Sequence, residues 1–396
     1  MTMKIRYIFN PEHDLCLANG SPHYLPPASA LKFRADCHRQ VEQWLEGIMG
    51  EAPLEAPMPA VPVPTVPVPT VHPAAVQPPA AVQPPAAADK SAPSNNADMI
   101  VPWGWNSVLV KQLRQEGVPE HLLPNEEYLN LIREYSRREH AVKCAEYFNR
   151  CNIQQNTPAP AMAKSSSGLC NSAMAKIGCG QCHPSVAESS SGQCYPSLAE
   201  SSSGRCYPLP IVAKSIRDVE ATLERWGKIV LKSPLSGSGK GIRWVSDALS
   251  HSDIGWCLHN LEHYGSIIAE ERQNVIQDFA MLFSCNLPFK SGIEFFGYSL
   301  FFTSNGAYKG SVVENDSFIE EYLCSQGANL AELHRIRAQL QEHLKEELAG
   351  WYKGFLGVDM FLFSPTDKEH RRALLNPVVE INLRLTMGHL FRHLAR

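Results

Sequence analysis

The stretch that most limits how this chain can fold lies in its last forty residues. Gly357-Val358-Asp359-Met360-Phe361-Leu362-Phe363 and Pro377-Val378-Val379-Glu380-Ile381-Asn382-Leu383-Arg384 are short, apolar and rich in β-branched and aromatic residues. Both read as strands. The polar segment between them, Ser364-Pro365-Thr366-Asp367-Lys368-Glu369-His370, suits a turn, so the two are expected to pair as a hairpin. Side chains alternate along a strand. Glu380, Asn382 and Arg384 therefore fall on one face, and Ile381 and Leu383 on the other. A carboxylate, an amide and a guanidinium in one row, beside Asp359 on the partner strand, suit a hard divalent cation and phosphate. A half-exposed strand meeting only water would show the same alternation, so a second motif has to decide.

That motif is Lys228-Ile229-Val230-Leu231-Lys232, an apolar strand that runs into Ser233-Pro234-Leu235-Ser236-Gly237-Ser238-Gly239-Lys240-Gly241. Glycines let backbone N–H groups approach phosphate oxygens, and a lysine adds a point charge. The segment is not a P-loop. Gly239-Lys240 is followed by Gly241 rather than Ser or Thr, and the position five before Gly239 is Pro234. A plain surface loop is the bland reading of the Gly-Ser run taken alone.

In combination and in this order, the motifs resemble the ATP-grasp superfamily. The features that carry the likeness are Lys232-Ser233-Pro234, the glycine loop to Gly241, Ile267-Ile268-Ala269-Glu270-Glu271, Asp359 and Glu380-Ile381-Asn382-Leu383-Arg384. It covers roughly residues 125–390 less one insertion. The resemblance implies an α/β fold: a small parallel α/β N-terminal domain (1–124) followed by an α+β grasp module (125–396). It assigns nucleotide binding to Lys232, to the flap residues Ser236, Gly237, Ser238, Gly239, Lys240 and Gly241, and to the hinge residues Glu270 and Glu271. Asp359, Glu380 and Asn382 would hold Mg²⁺, with Mn²⁺ as the alternative, and Arg384 would be the catalytic residue that stabilises the transferring phosphoryl group or the intermediate after it. Many members carry an earlier nucleotide-binding lysine. Its nearest counterpart here is Ser136-Arg137-Arg138-Glu139, which makes Arg138, or its neighbour Arg137, the candidate for that role. A guanidinium and an ammonium are not interchangeable, so this is a departure.

The function implied is an ATP-dependent ligase that joins a small-molecule carboxylate to an amine or similar nucleophile through an acyl phosphate. A kinase of a small hydroxyl substrate and a non-catalytic nucleotide-binding or interaction protein are the alternatives. A net charge of −4 gives no reason to expect nucleic acid or an anionic membrane as a partner. No apolar run approaches the ~20 residues of a membrane helix. The first nine residues read as a strand and are too short for a signal peptide, so the expected location is cytoplasmic.

Two stretches stand outside this scheme. Residues 51–97 are Pro, Ala and Val with repeated Val-Pro-Val-Pro-Thr, a composition that favours extended polyproline over a packed core. Residues 156–208 carry a twelve-residue repeat that sets Cys170, Cys182, Cys194 and Cys206 at equal intervals. The repeat explains those cysteines better than a zinc site does, because Cys179 and Cys182 have no second close pair. Both are read as disordered insertions, and the twelve cysteines as free thiols. Within the first domain, Asn10-Pro11-Glu12-His13-Asp14 follows the first strand, where open α/β sheets bind ligands. A turn with a helix cap is the plainer reading of those residues. Pro124 to Glu139 reads as a linker. An Asn305-Gly306 hairpin turn and a long amphipathic helix over 329–352 complete the scaffold.

Overall fold

The computed structural model describes residues 4–49, 97–156, 207–237, 241–287, 290–304, 307–365 and 373–394. Nearly all of both low-complexity stretches, Ser238, Gly239 and Lys240 of the flap, and the Asn305-Gly306 turn lie outside those residues. A helix over Arg138–Asn156 reaches the start of the second stretch, and Tyr207 is buried, held by paired hydrogen bonds with Asn149, so both ends of that stretch belong to the folded module.

The chain is α/β. In the N-terminal region β1 (Ile5–Ile8) leads into α1 (His13–Asn19) and α2 (Ala28–Met49). Then come β2 (Met99–Pro102) and α3 (Ser107–Gln115). β1 and β2 pair in parallel, as strand alternating with helix predicts. Asn106 caps α3 by accepting from Leu109 N.

Residues 124–139, expected as a linker, instead contain α4 (Glu126–Tyr135). Its signals were present: Asn125 accepts from Tyr128 N as an N-cap, two glutamates occupy the first turn, and Ile132 turns inward. Arg133 of α4 donates to the carbonyls of Leu17 and Ala18, satisfying the open C-terminal end of α1. α5 (Arg138–Asn156) follows at once.

A four-stranded sheet of order β3-β6-β4-β5 forms the small lobe: β3 (Ile211–Ala213), β4 (Lys228–Lys232), β5 (Ile242–Ser246) and β6 (Ile267–Glu271). Helices α6 (Ile216–Trp226) and α7 (His251–Tyr264), each opened by a Ser/Asp capping box, cover it. Val219, Leu223, Ile229, Leu231, Val245 and Ile267 fill its core.

The large sheet has order β11-β10-β7-β8-β9 and is antiparallel throughout: β7 (Asn274–Leu287), β8 (Lys290–Ser304), β9 (Ala307–Ser311), β10 (Gly354–Ser364) and β11 (Leu374–Asn382). Helices α8 (Asp316–Ser325) and α9 (Leu330–Leu348) back it, and α10 (Met387–Leu394) closes the chain. The long helix is shorter than expected. Asn329 caps it, and Leu333, Ile336, Leu340, Leu344 and Leu348 form the buried stripe while Leu330 is exposed. Each of those side chains contributes roughly 1.5–3 kcal/mol by leaving water, against Phe279, Met281, Val358 and Met360 of the sheet.

The N-terminal region docks on the end of the large sheet. Tyr7, Phe9 and Trp103 pack with Phe355, Leu385 and Leu390, and Leu385 N donates to Trp103 O. That contact brings α1 to the end of β11. The seven described cysteines are free thiols, and no helix among the described residues is long and apolar enough to cross a membrane.

Candidate active site

β10 and β11 pair as the sequence pattern requires, with Asp359 directly opposite Glu380. Ile381 and Leu383 point into the core, and Val358 and Met360 flank Asp359 inside it. Asp359 and Glu380 thus share one face, with Asn382 beside them. Asn382 Nδ2 donates to Asp359 Oδ2 at 3.1 Å. The regular strand ends at Asn382, so Arg384 arrives from a turn in which its own N–H donates to Asn382 O. Its side chain still reaches the same cleft, donating from Nη2 to Asn382 Oδ1 at 3.0 Å.

Burial, and then the neighbouring Glu380 charge, push the Asp359 carboxyl up to about 7, against partial relief from Arg384 and Asn382. A carboxylate raised by burial beside a second carboxylate fits a divalent cation, which would relieve the repulsion at Asp359. Glu380 keeps Oε1 available, since Arg138 engages Oε2. Asn382 is turned with its oxygen toward Arg384 and its nitrogen toward Asp359. Among the described residues no cluster of three or more His, Cys, Asp or Glu is placed to hold a metal.

Arg138 and Arg137 separate cleanly. Arg137 turns away to Glu139 and the Tyr264 carbonyl. Arg138, 5% exposed at the start of α5, donates to Ser233 O at 2.5 Å, Ser236 Oγ at 2.9 Å and Glu380 Oε2 at 2.9 Å. Its backbone N–H donates to Pro234 O. One guanidinium therefore links the flap base to the carboxylate strand, and its Nε–H is buried without a partner.

Lys232 closes β4 and is 7% exposed. Its Nζ lies 2.7 Å from the Glu270 carboxylate on β6, so Glu270 faces the lysine across the sheet. Glu271 accepts from Gln273 Nε2 at the hinge. Flap geometry starts from Ser233 N donating to Gly241 O, a backbone bond that pins the two ends of the loop together. Ser236 and Gly237 lean over the cleft. A Cβ at 237 would lie 2.7 Å from Asp14 Cβ, so glycine is required there by close approach to α1.

Two site residues were missed by sequence reasoning or passed over. Asp278 on β7 pairs with Phe361 and lies diagonally from Asp359 on the same face, and it accepts a hydrogen bond from Thr303. Burial raises its carboxyl, with Thr303 and the Lys232 charge opposing. An acid placed between Gln277 and Phe279 in a strand of buried residues was the available signal. Asp14, read as part of a turn, pairs with Arg384 through both oxygens, at 2.6 and 2.7 Å. Its neighbour His13 is buried against Gly104, with Nδ1 3.2 Å from Asn106 Nδ2, and burial pushes its imidazole down to about 4. Glu12 pairs with Arg34. Arg138, Ser236, Asp278, Asp359, Glu380, Asn382, Arg384 and Asp14 thus gather between the two sheets and α1. Lys232 is close enough for its charge to act on Asp278.

No protein-family model and no curated protein sequence matches this chain. Solved structures do. Among them is N5-carboxyaminoimidazole synthetase of Staphylococcus aureus, at 15% identity and a TM-score of 0.32, covering 48% of this chain and 46% of that one. Another is D-alanyl-alanine synthetase A of Vibrio cholerae, at 12% identity and 0.32, covering 44% and 49%. A third is biotin carboxylase of Campylobacter jejuni, at 13% identity and 0.40, covering 74% and 50%. The chain spans about half the length of each.

Proposed function

We propose that this chain is an ATP-grasp enzyme that binds Mg·ATP between its two sheets and joins a carboxylate to an amine through an acyl phosphate. The observation that carries the reading is the convergence of Arg138, Arg384 and the Asp359–Glu380 pair on one cleft beneath a glycine-bearing loop. Phosphoryl transfer asks a protein mainly for positioning and for positive charge around the equatorial oxygens. Lys232 and Arg138 supply that charge from the flap side, and Arg384 from the far side. Glu270 and Glu271 line the hinge for the base and sugar. Bound Mg²⁺ would neutralise phosphate charge at Asp359 and Glu380, with Asn382 beside it.

An acyl phosphate hydrolyses in water, so the residues that exclude water matter as much as those that bind. Ser236 and Gly237 do this from above and α1 from the side. Of the two candidates for the early cation, the reading selects Arg138, because it alone reaches both flap and carboxylate strand.

The test is ADP release in the presence of a panel of small carboxylic acids, with hydroxylamine as trap. Acid-dependent ADP and a hydroxamate support the ligase. A stable phosphoester from a hydroxyl substrate would make the chain a kinase instead. Glu380→Gln should abolish turnover while sparing most nucleotide affinity, and full activity in that variant would sink the metal assignment.

A further inference from the structure

A guanidinium has five N–H donors. In Arg384, Nε donates to Asp14 Oδ1, Nη2 to Asp14 Oδ2 and to Asn382 Oδ1, and Nη1 to Leu385 O. Four donors are therefore taken, two by one carboxylate in the fork geometry that also suits a phosphoryl group. A single N–H remains. With Asp14 in place, Arg384 has no fork to offer a second anion.

Space gives the same answer. The bottom of the cleft, lined by His13, Asp14, Ser236, Glu380, Asn382 and Arg384, holds only ≈ 20 Å³ of free volume. That is room for about one water and not for a phosphoryl group. Asp14 is also the side chain that the flap meets at Gly237. One carboxylate thus occupies the arginine fork and supports the loop that closes over it.

We propose that Asp14 is a built-in occupant of the phosphoryl pocket, an anion that holds Arg384 until the terminal phosphate of the nucleotide displaces it. This rests on the ATP-grasp reading above. The exchange replaces one carboxylate on the fork by another anion of the same geometry, so the charge on Arg384 is compensated before and after. It also makes the pocket selective: a nucleotide too short to reach Arg384 leaves the Asp14 pair intact.

The test is calorimetric titration of the wild type, Asp14→Asn and Asp14→Ser with Mg·AMP-PNP and, separately, Mg·ADP. Removing the competing charge should tighten Mg·AMP-PNP at least tenfold in both variants and change Mg·ADP by less than twofold. In an Arg384→Met background the gain should vanish. Two variants are used so that one misfolded sample does not decide the matter, with circular dichroism checking each. Unchanged or weaker Mg·AMP-PNP binding in the folded variants overturns the proposal, since Asp14 would then be only a support for Arg384. If the wild type binds both nucleotides and the variants bind them no differently, this inference alone falls. If neither the wild type nor the variants bind either nucleotide, the ATP-grasp reading falls and takes the inference with it.

Discussion

His389 gives the fold a pH dependence whose sign and size follow from its surroundings. The side chain is fully buried in α10. Nδ1 accepts from Thr386 N at 3.2 Å and Nε2 donates to Phe283 O at 3.3 Å, so the neutral ring has one acceptor and one donor satisfied. Phe296 and Phe355 flank it at 5.4 and 5.2 Å. A second proton would have nowhere to go. Burial pushes the imidazole down to about 3, against 6.5 for an exposed ring.

A base whose pKa is lowered by folding stays neutral in the native state while the unfolded chain takes up protons. Its contribution is complete above pH 6.5 and is lost as pH falls toward 3. At pH 4.5, two units below the unfolded value and still above the folded one, the loss is about 2.7 kcal/mol at 1.36 kcal/mol per unit. His389→Gln removes that part of the dependence. Urea unfolding of wild type and variant at pH 7.5 and 4.5 should therefore show the gap between them shrinking by about 2–3 kcal/mol in acid, while the carboxylates common to both cancel. Parallel loss of stability in the two proteins would refute the reasoning, and would mean that His389 is hydrated or charged in the native state.

Three further outcomes follow from the site. Arg138→Ala leaves Glu380 without its cation beside Asp359 and should lower stability by about 3 kcal/mol, with Arg138→Lys recovering the charge but only part of the hydrogen bonding; thermal melts of the two check this. Asp359→Asn should raise the melting temperature of the metal-free protein at pH 8. Its carboxyl is held up at about 7, so it opposes folding increasingly as pH climbs from about 4. The same variant should lose any stabilisation by Mg²⁺, read by repeating the melt with the ion added.

Much of this site was legible in the sequence, and the part that was not has a common cause. The alternation over 377–384 put Glu380 and Asn382 on one face because a strand has a strict period of two, and the register opposite Asp359 followed from the hairpin. Lys232 was found because it ends an apolar run. Asp14 was not selected, since its partner Arg384 lies 370 residues away and no local pattern encodes that contact. Arg138 and Glu380 are 242 apart, and only the tertiary fold separates Arg138 from Arg137. Asp278 hid beside a run, 279–285, whose residues are all buried. α4 went unread although Asn125 and its two glutamates marked the start, because Pro124 and the polar residues around it suggested a linker. Expectations for Ser238, Gly239 and Lys240 fall outside the described residues.

The most direct test of the account is calorimetric binding of Mg·AMP-PNP to the wild type and to Lys232→Met, with and without Mg²⁺. Lys232 is buried against Glu270 and acts electrostatically on Asp278. Mg²⁺-dependent binding to the wild type, lost in the variant, is the expected result. No binding by a well-folded wild type, or equal binding by both proteins, would contradict it.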